Sequence, residues 1–103
     1  MDSMTTQLRR YILVDGIWDE FRAWWHDELV PVREKFGFTV DFAYRIDETN
    51  EFIWAVTLPG DAAEFARVEN EYMASDERAG AFAGHAPWTT STDIRLVEPI
   101  AAH

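Results

Sequence analysis

Two ionisable side chains stand where the surrounding pattern gives them little reason to be. His85 lies in a short loop, Gly84-His85-Ala86-Pro87-Trp88, just ahead of a β-branched run. An imidazole changes charge near neutral pH, so at the edge of a pocket it can take a proton from a substrate or ligate an iron. It can equally be an ordinary solvated loop residue. Glu69 falls between Phe65 and Tyr72 on what reads as the apolar face of a helix. Burial there raises a carboxylate pKa unless a cation pairs with it, and Arg10, Arg45 and Arg95 are the candidate partners. Glu69 is therefore either a general base or half of a structural ion pair. Tyr72, one turn later, could donate its phenolic hydrogen bond into the same space or sit in the core with its hydroxyl at the rim.

The remaining histidines of the three, His26 and His103, form no HxH or HxxxH spacing with His85, so no metal site is expected. His26 lies about 100° from the centre of the first helix's apolar stripe, a boundary position open to packing, solvation or a pocket role. His103 is terminal and expected to play no part. Of the five tryptophans, Trp18 and Trp25 fall on that stripe. Trp24 is turned about 100° away, toward a partner surface or a pocket rim. Trp54 and Trp88, on or beside strands, could wall an aromatic ligand. The candidate catalytic set is thus His85, Glu69 and Tyr72, and the candidate pocket set is Tyr11, Trp25, His26, Trp54 and Trp88. The glycines at 60, 80 and 84 have no adjacent Lys and no GxGxxG spacing, and there is no GxSxG elbow, so no nucleotide cofactor is expected and none of another kind.

The chain around these groups has 103 residues, with nine Lys plus Arg against nineteen Asp plus Glu and a net charge of −10. Such a surface repels phosphate, so neither nucleic acid nor an anionic membrane is an expected partner. The length fits one domain over 1–103, and 48% hydrophobic residues argue against disorder. Zero cysteines exclude disulfides, thiolate zinc sites and a thiol nucleophile, and fit a reducing, cytoplasmic setting. Every apolar run is too short and too interrupted for a membrane span or export segment.

Residues 8–14 read as a strand closed by Asp15-Gly16, which is also a candidate helix cap. From Ile17 to Phe36, residues such as Phe21, Trp25, Leu29 and Val32 fall within about 40° of one line, an amphipathic helix. Pro31 has no N–H to return to Asp27 and should kink or divide this helix, and Gly37 supplies a left-handed stop. Phe38, Val40, Phe42, Tyr44 and Ile46 then alternate with mostly polar residues, the pattern of a strand with one wet face. Glu51 to Leu58 is apolar on both faces and wants cover on both. Asp61 followed by Glu64 opens a second helix reaching about Ser75, a helical turn spans Asp76 to Phe82, and Thr90 to Val97 is the last strand.

That order predicts an α+β, ferredoxin-like βαββαβ fold: a four-stranded antiparallel sheet with two helices on one face. Two helices cover only one side, so the apolar reverse predicts a homodimer packed sheet to sheet. Either Arg9, Tyr11 and Leu13 or Leu8, Arg10 and Ile12 face the helices, since both sets mix charge with bulk.

Leu8-Arg9-Arg10-Tyr11 with Asp15-Gly16, the helix carrying Trp24-Trp25-His26, Leu29 and Pro31, Gly37-Phe38, and the strand Phe52-Ile53-Trp54-Ala55-Val56 carry a family likeness. With the late Tyr72 to Ser75, they resemble the NIPSNAP-like branch of the dimeric α+β barrel superfamily over about residues 7–98. The resemblance implies a dimer with one small, aromatic-lined pocket per subunit between sheet and helices. Relatives in that superfamily include cofactor-free monooxygenases, haem-degrading proteins, polyketide cyclases and proteins without known chemistry, and some place a histidine near the region of His85. The expectation is a protein that binds a small hydrophobic or aromatic molecule and oxygenates or cyclises it without metal or nucleotide. His85 or Glu69 would take a proton, Tyr72 or an Arg would hold the substrate oxygen, and the tryptophans would exclude water. The alternatives are a non-catalytic dimeric binding or interaction protein, and haem binding through His85 or His26.

Overall fold

The computed structural model describes residues 3–101, so His103 lies outside the described residues. Four strands, β1 (Met4–Leu13), β2 (Thr39–Ile46), β3 (Glu51–Pro59) and β4 (Thr89–Val97), form one sheet in the order β2-β3-β1-β4. Every neighbouring pair is antiparallel. Helices α1 (Trp18–Trp24), α2 (Val30–Lys35), α3 (Ala62–Met73) and α4 (Asp76–Phe82) complete the expected ferredoxin-like arrangement, the short α4 added to the two long helical segments.

Pro31 leaves its mark on the first helical segment. α1 and α2 are joined by a π-helical turn, Trp25–Leu29, in which the Val30 N–H reaches five residues back to the Trp25 carbonyl. A missing N–H at position 31 removes one bond of the regular ladder, and the wider turn absorbs the loss without breaking the helix. One extra residue in the turn brings Trp24 and Leu29, about 140° apart on a regular wheel, onto nearly one line. Both are buried. Trp24 is thus not turned toward a partner surface: it is 5% exposed and its Nε1 donates to the Ala81 carbonyl at 2.7 Å. The helix ends as expected at Gly37, with φ +96°. The Phe38 N–H closes back on the Arg33 carbonyl at 3.2 Å. Asp15-Gly16 makes its turn but does not cap α1, whose cap position is Ile17 with no side-chain bond. Asp61 does cap α3, accepting from the Glu64 N–H at 2.9 Å.

The alternation in β2 is broken where the sequence looks most regular. A bulge falls between Val40 and Phe42: Val40 pairs with Val56, and the next pair is Phe42 with Ala55. Because side chains alternate with a period of two, one inserted residue moves everything beyond it to the opposite face. Val40 looks toward the helices, while Phe42 and Tyr44 look away from them and are 38% and 66% exposed. Ala43 and Arg45 take the helix-facing side, where the Arg45 guanidinium lies 4.5 Å over the Trp18 ring. The expectation of a single wet face on this strand is therefore corrected: its apolar half lies on the uncovered side of the sheet.

The pairing also settles β1. Tyr11 and Arg9 stand opposite Phe52 and Trp54, so Arg9, Tyr11 and Leu13 face the helices. On that side Phe21 meets Phe52 edge-on at 5.0 Å, and Trp25 meets Trp54 at 5.4 Å and 90°. Trp54 has no exposure and Phe21 has 1%. Each such side chain contributes about 1.5–3 kcal/mol through the apolar area it removes from water. Leu8, Ile12, Phe42, Tyr44 and Ile53 lie on the reverse face, which no helix covers.

Candidate functional site

Between the sheet and the helices lies a cavity of about 380 Å³, within the usual size of a small-molecule site. β1 contributes Arg9 and Tyr11, placed there by the register just described. α1 contributes Phe21 and Trp24, the π turn Leu29, and α4 Arg78 and Phe82. The segment His85-Ala86-Pro87-Trp88 closes the remaining side. Two backbone bonds fix that segment: the His85 N–H to the Phe82 carbonyl at 3.2 Å, and the Val14 N–H to the Trp88 carbonyl at 3.0 Å. The rings of Trp24 and Trp88 are 5.1 Å apart, and the His85 ring lies 5.0 Å from Trp88.

The polar groups on this wall are few. Tyr11 Oη accepts from Arg9 Nε at 2.7 Å, which leaves the phenolic proton free for a ligand oxygen. The Arg9 guanidinium also donates to Gln7 Oε1 at 2.6 Å and stands 4.0 Å from Glu69. His85 Nε2 is 3.6 Å from Glu28 Oε2, beyond hydrogen-bonding distance and an ion pair only when the imidazole is protonated. Among the described residues no Asp or Glu lines the cavity.

The structure brings together His85, Trp88 and Tyr11 of the residues singled out in the sequence, and separates the others. Glu69 is not on the cavity wall. Its carboxylate accepts from Arg33 Nη1 at 2.7 Å, so its partners are Arg33 and Arg9, not Arg10, Arg45 or Arg95. Those three are engaged elsewhere, with Glu51, Asp47 and Asp93. Tyr72 is 1% exposed and also off the wall, packed between Phe36, Phe38 and the Arg33 guanidinium, which lies 4.0 Å over its ring. Burial pushes its phenol above the ordinary 10.0, while Arg33 opposes that rise, so the hydroxyl keeps its proton at neutral pH. Trp54 is fully enclosed in the core. His26 is exposed and bonded to Asp27 at 2.8 Å; with Trp25 it borders a separate outer groove.

Arg9, Arg78 and Phe82 are wall residues that the sequence reading did not single out, Trp24 takes the pocket-rim side of its two expected placements, and Arg33 is the buried cation it lacked. Arg33 stands four residues after Leu29, hence on the same inward line, and an inward Arg on one helix is the natural complement of an inward Glu on another. That pairing was the available signal. Buried indole N–H groups of Trp25, Trp54 and Trp88 have no acceptor among the described residues. Among the described residues no cluster of three or more His, Asp or Glu is arranged to hold a metal ion, and no helix is long and apolar enough to cross a membrane.

No protein-family model and no curated protein sequence matches this chain. Solved structures do match its fold. A NIPSNAP family protein from Agrobacterium tumefaciens strain C58 superposes with a TM-score of 0.84 at 12% identity, covering 97% of this chain and 96% of that one. An uncharacterized NIPSNAP domain protein from Burkholderia xenovorans gives 0.81 at 15% identity, over 96% and 97%. A protein assigned to the antibiotic biosynthesis monooxygenases, from Caulobacter crescentus CB15, gives 0.71 at 14% identity, over 97% and 92%. The chain has the fold that NIPSNAP proteins share with that group.

Proposed function

We propose that this chain is a NIPSNAP-like protein of the dimeric α+β barrel type that binds one small aromatic molecule per subunit in the cavity between sheet and helices. The observation that carries the reading is that Tyr11, Arg9 and His85 line one cavity with the rings of Trp24 and Trp88, which lie 5.1 Å apart. The chemistry it supports is deprotonation, the first step shared by cofactor-free oxygenation and by ring closure. His85 accepts the proton, and the Tyr11 hydroxyl with the Arg9 guanidinium holds the oxygen on which charge develops. Glu69 acts behind them as a positioning residue through Arg9, and Tyr72 does so by seating Arg33. A wall without any carboxylate favours a second reading, a binding protein of the same architecture with no turnover. A cysteine-free composition supports a cytoplasmic setting for either.

The exposed apolar side chains of the reverse face, among them Ile12, Phe42 and Tyr44, support a homodimer packed through it. Light scattering at micromolar concentration is expected to report twice 11.9 kDa, and Tyr44→Glu to halve that mass. A wild-type mass of one chain refutes the dimer. For the site, native mass spectrometry of protein purified from its own host is expected to show a co-purifying small molecule. His85→Ala is expected to keep that molecule bound and abolish its conversion. Retention of conversion removes His85 from the chemistry, and binding without conversion by the wild type selects the second reading. Titration with haem gives a new absorbance band only if His85 serves as an axial ligand instead.

A further inference from the structure

We infer that the molecule this cavity takes is an aromatic acid, its carboxylate held between Arg9 and Arg78 and its ring packed against Trp24 and Trp88. The inference rests on the cavity being the binding site and adds the charge of the ligand. The chain has nineteen acidic side chains for nine Lys and Arg, so an unpaired guanidinium stands out. Among the described residues Arg78 has no carboxylate within ion-pairing distance, and its guanidinium makes no hydrogen bond. Its neighbours are rings, Phe82 at 4.3 Å and Tyr72 at 5.8 Å. It lies half-buried on the cavity wall. Arg22, also unpaired, lies on the separate outer groove.

Arg9 is ready for the same task. Its Nε and Nη1 are committed to Tyr11, Gln7 and Glu69, and among the described residues its Nη2 is in no hydrogen bond or ion pair. The charges facing this space are Arg9, Arg78 and, behind them, Arg33, against Glu69 alone; Glu28 stands at the outer side of His85. Even with Glu28 included and His85 neutral, three cations meet two carboxylates, so the cavity is locally positive inside an acidic protein. Guanidinium forks match the planar carboxylate, and the wall of rings suits a flat aromatic body. A neutral aromatic of the same shape would leave Arg78 desolvated and unpaired.

The test uses the full chain, tryptophan fluorescence and calorimetry, and two probes of equal shape, 2-naphthoate and 2-naphthamide. The acid is expected to bind at least about tenfold tighter than the amide, the margin between a charged and a neutral hydrogen bond. Arg78→Gln is expected to erase most of that margin by weakening the acid more than the amide, and added NaCl to narrow the margin in the wild type. Equal binding of both probes overturns the charge inference and leaves the cavity reading standing. Binding of neither overturns both. Should Arg78→Gln fold poorly by circular dichroism, Arg78→Lys serves in its place: the fork is lost and the charge kept, so an intermediate margin supports the proposal and an unchanged one opposes it.

Discussion

Replacing Glu69 by Gln isolates the buried ion pair with little change of shape. Arg33 is 1% exposed, its Nε already has no partner, and its Nη1 depends on the Glu69 carboxylate at 2.7 Å. Without that negative charge the guanidinium remains buried against Tyr72 and Phe38, at 4.0 and 4.7 Å, which offset only part of the loss. Removing one partner of a buried pair costs about 3–5 kcal/mol, and the lower end applies here because the Gln carbonyl still accepts a hydrogen bond and the site is 16% exposed. About 3 kcal/mol corresponds to a fall in Tm of roughly 12–24 °C for a domain of this size. Adding Arg33→Met to Glu69→Gln removes the stranded cation and refills its volume with apolar surface. The double variant is therefore expected to recover about 2 kcal/mol over Glu69→Gln alone. Urea denaturation followed by tryptophan fluorescence at fixed protein concentration measures all three, with an unchanged slope guarding the comparison. A Glu69→Gln protein within about 0.5 kcal/mol of wild type, or a double variant no better than the single, refutes the reasoning.

Acid stability carries a second signature. The Thr49 hydroxyl, with the Arg10 guanidinium, holds the Glu51 carboxyl below its ordinary 4.5. A depressed folded-state pKa gives stability that is complete above the unfolded value and is lost as pH falls through the folded one. Wild type is therefore expected to lose stability below about pH 5, and Glu51→Gln to flatten that part of the profile in a Tm series across pH. Two glycines should respond with opposite signs. Gly60 has φ +105°, and a methyl there would sit 2.9 Å from Cβ and Cγ of Glu64, so Gly60→Ala is expected to cost about 1–3 kcal/mol. Gly80 lies inside α4 with open space around it, and Gly80→Ala is expected to gain about 0.5–1 kcal/mol in the same denaturation assay.

Local rules carried the architecture into the sequence. The doubly apolar run of β3, the Asp61 cap, the Gly37 stop and the helix irregularity signalled by Pro31 were enough to order the strands and put the helices on one face. Two irregularities were not legible, because each inserts a residue that leaves the composition pattern intact. The π turn rotates Trp24 inward, and the bulge beside Asp41 turns Phe42 and Tyr44 outward while their spacing from Phe38 and Val40 still reads as one face. The candidate site shows the same division. His85 and Trp88 were readable because a loop histidine and a strand-edge indole stand out singly, whereas Tyr11 was a pocket candidate whose strand face only the register with β3 decides. Arg9, Arg78 and Arg33 were not, since an arginine's role depends on which carboxylate or ring the fold sets beside it.

The bulge in β2 also bears on what the edge of the sheet offers to another chain. β2 is an outer strand of the sheet, and a regular outer strand offers its free N–H and C=O groups to any extended chain. An inserted residue puts that row out of step, so an incoming strand finds bonding partners on one stretch and none on the next. The residue that carries greasy rings to the rear of the sheet thereby spoils the rim for zipper-like growth. Open-ended ribbon growth along this rim is disfavoured, which suits the closed, face-on pairing proposed for the reverse face.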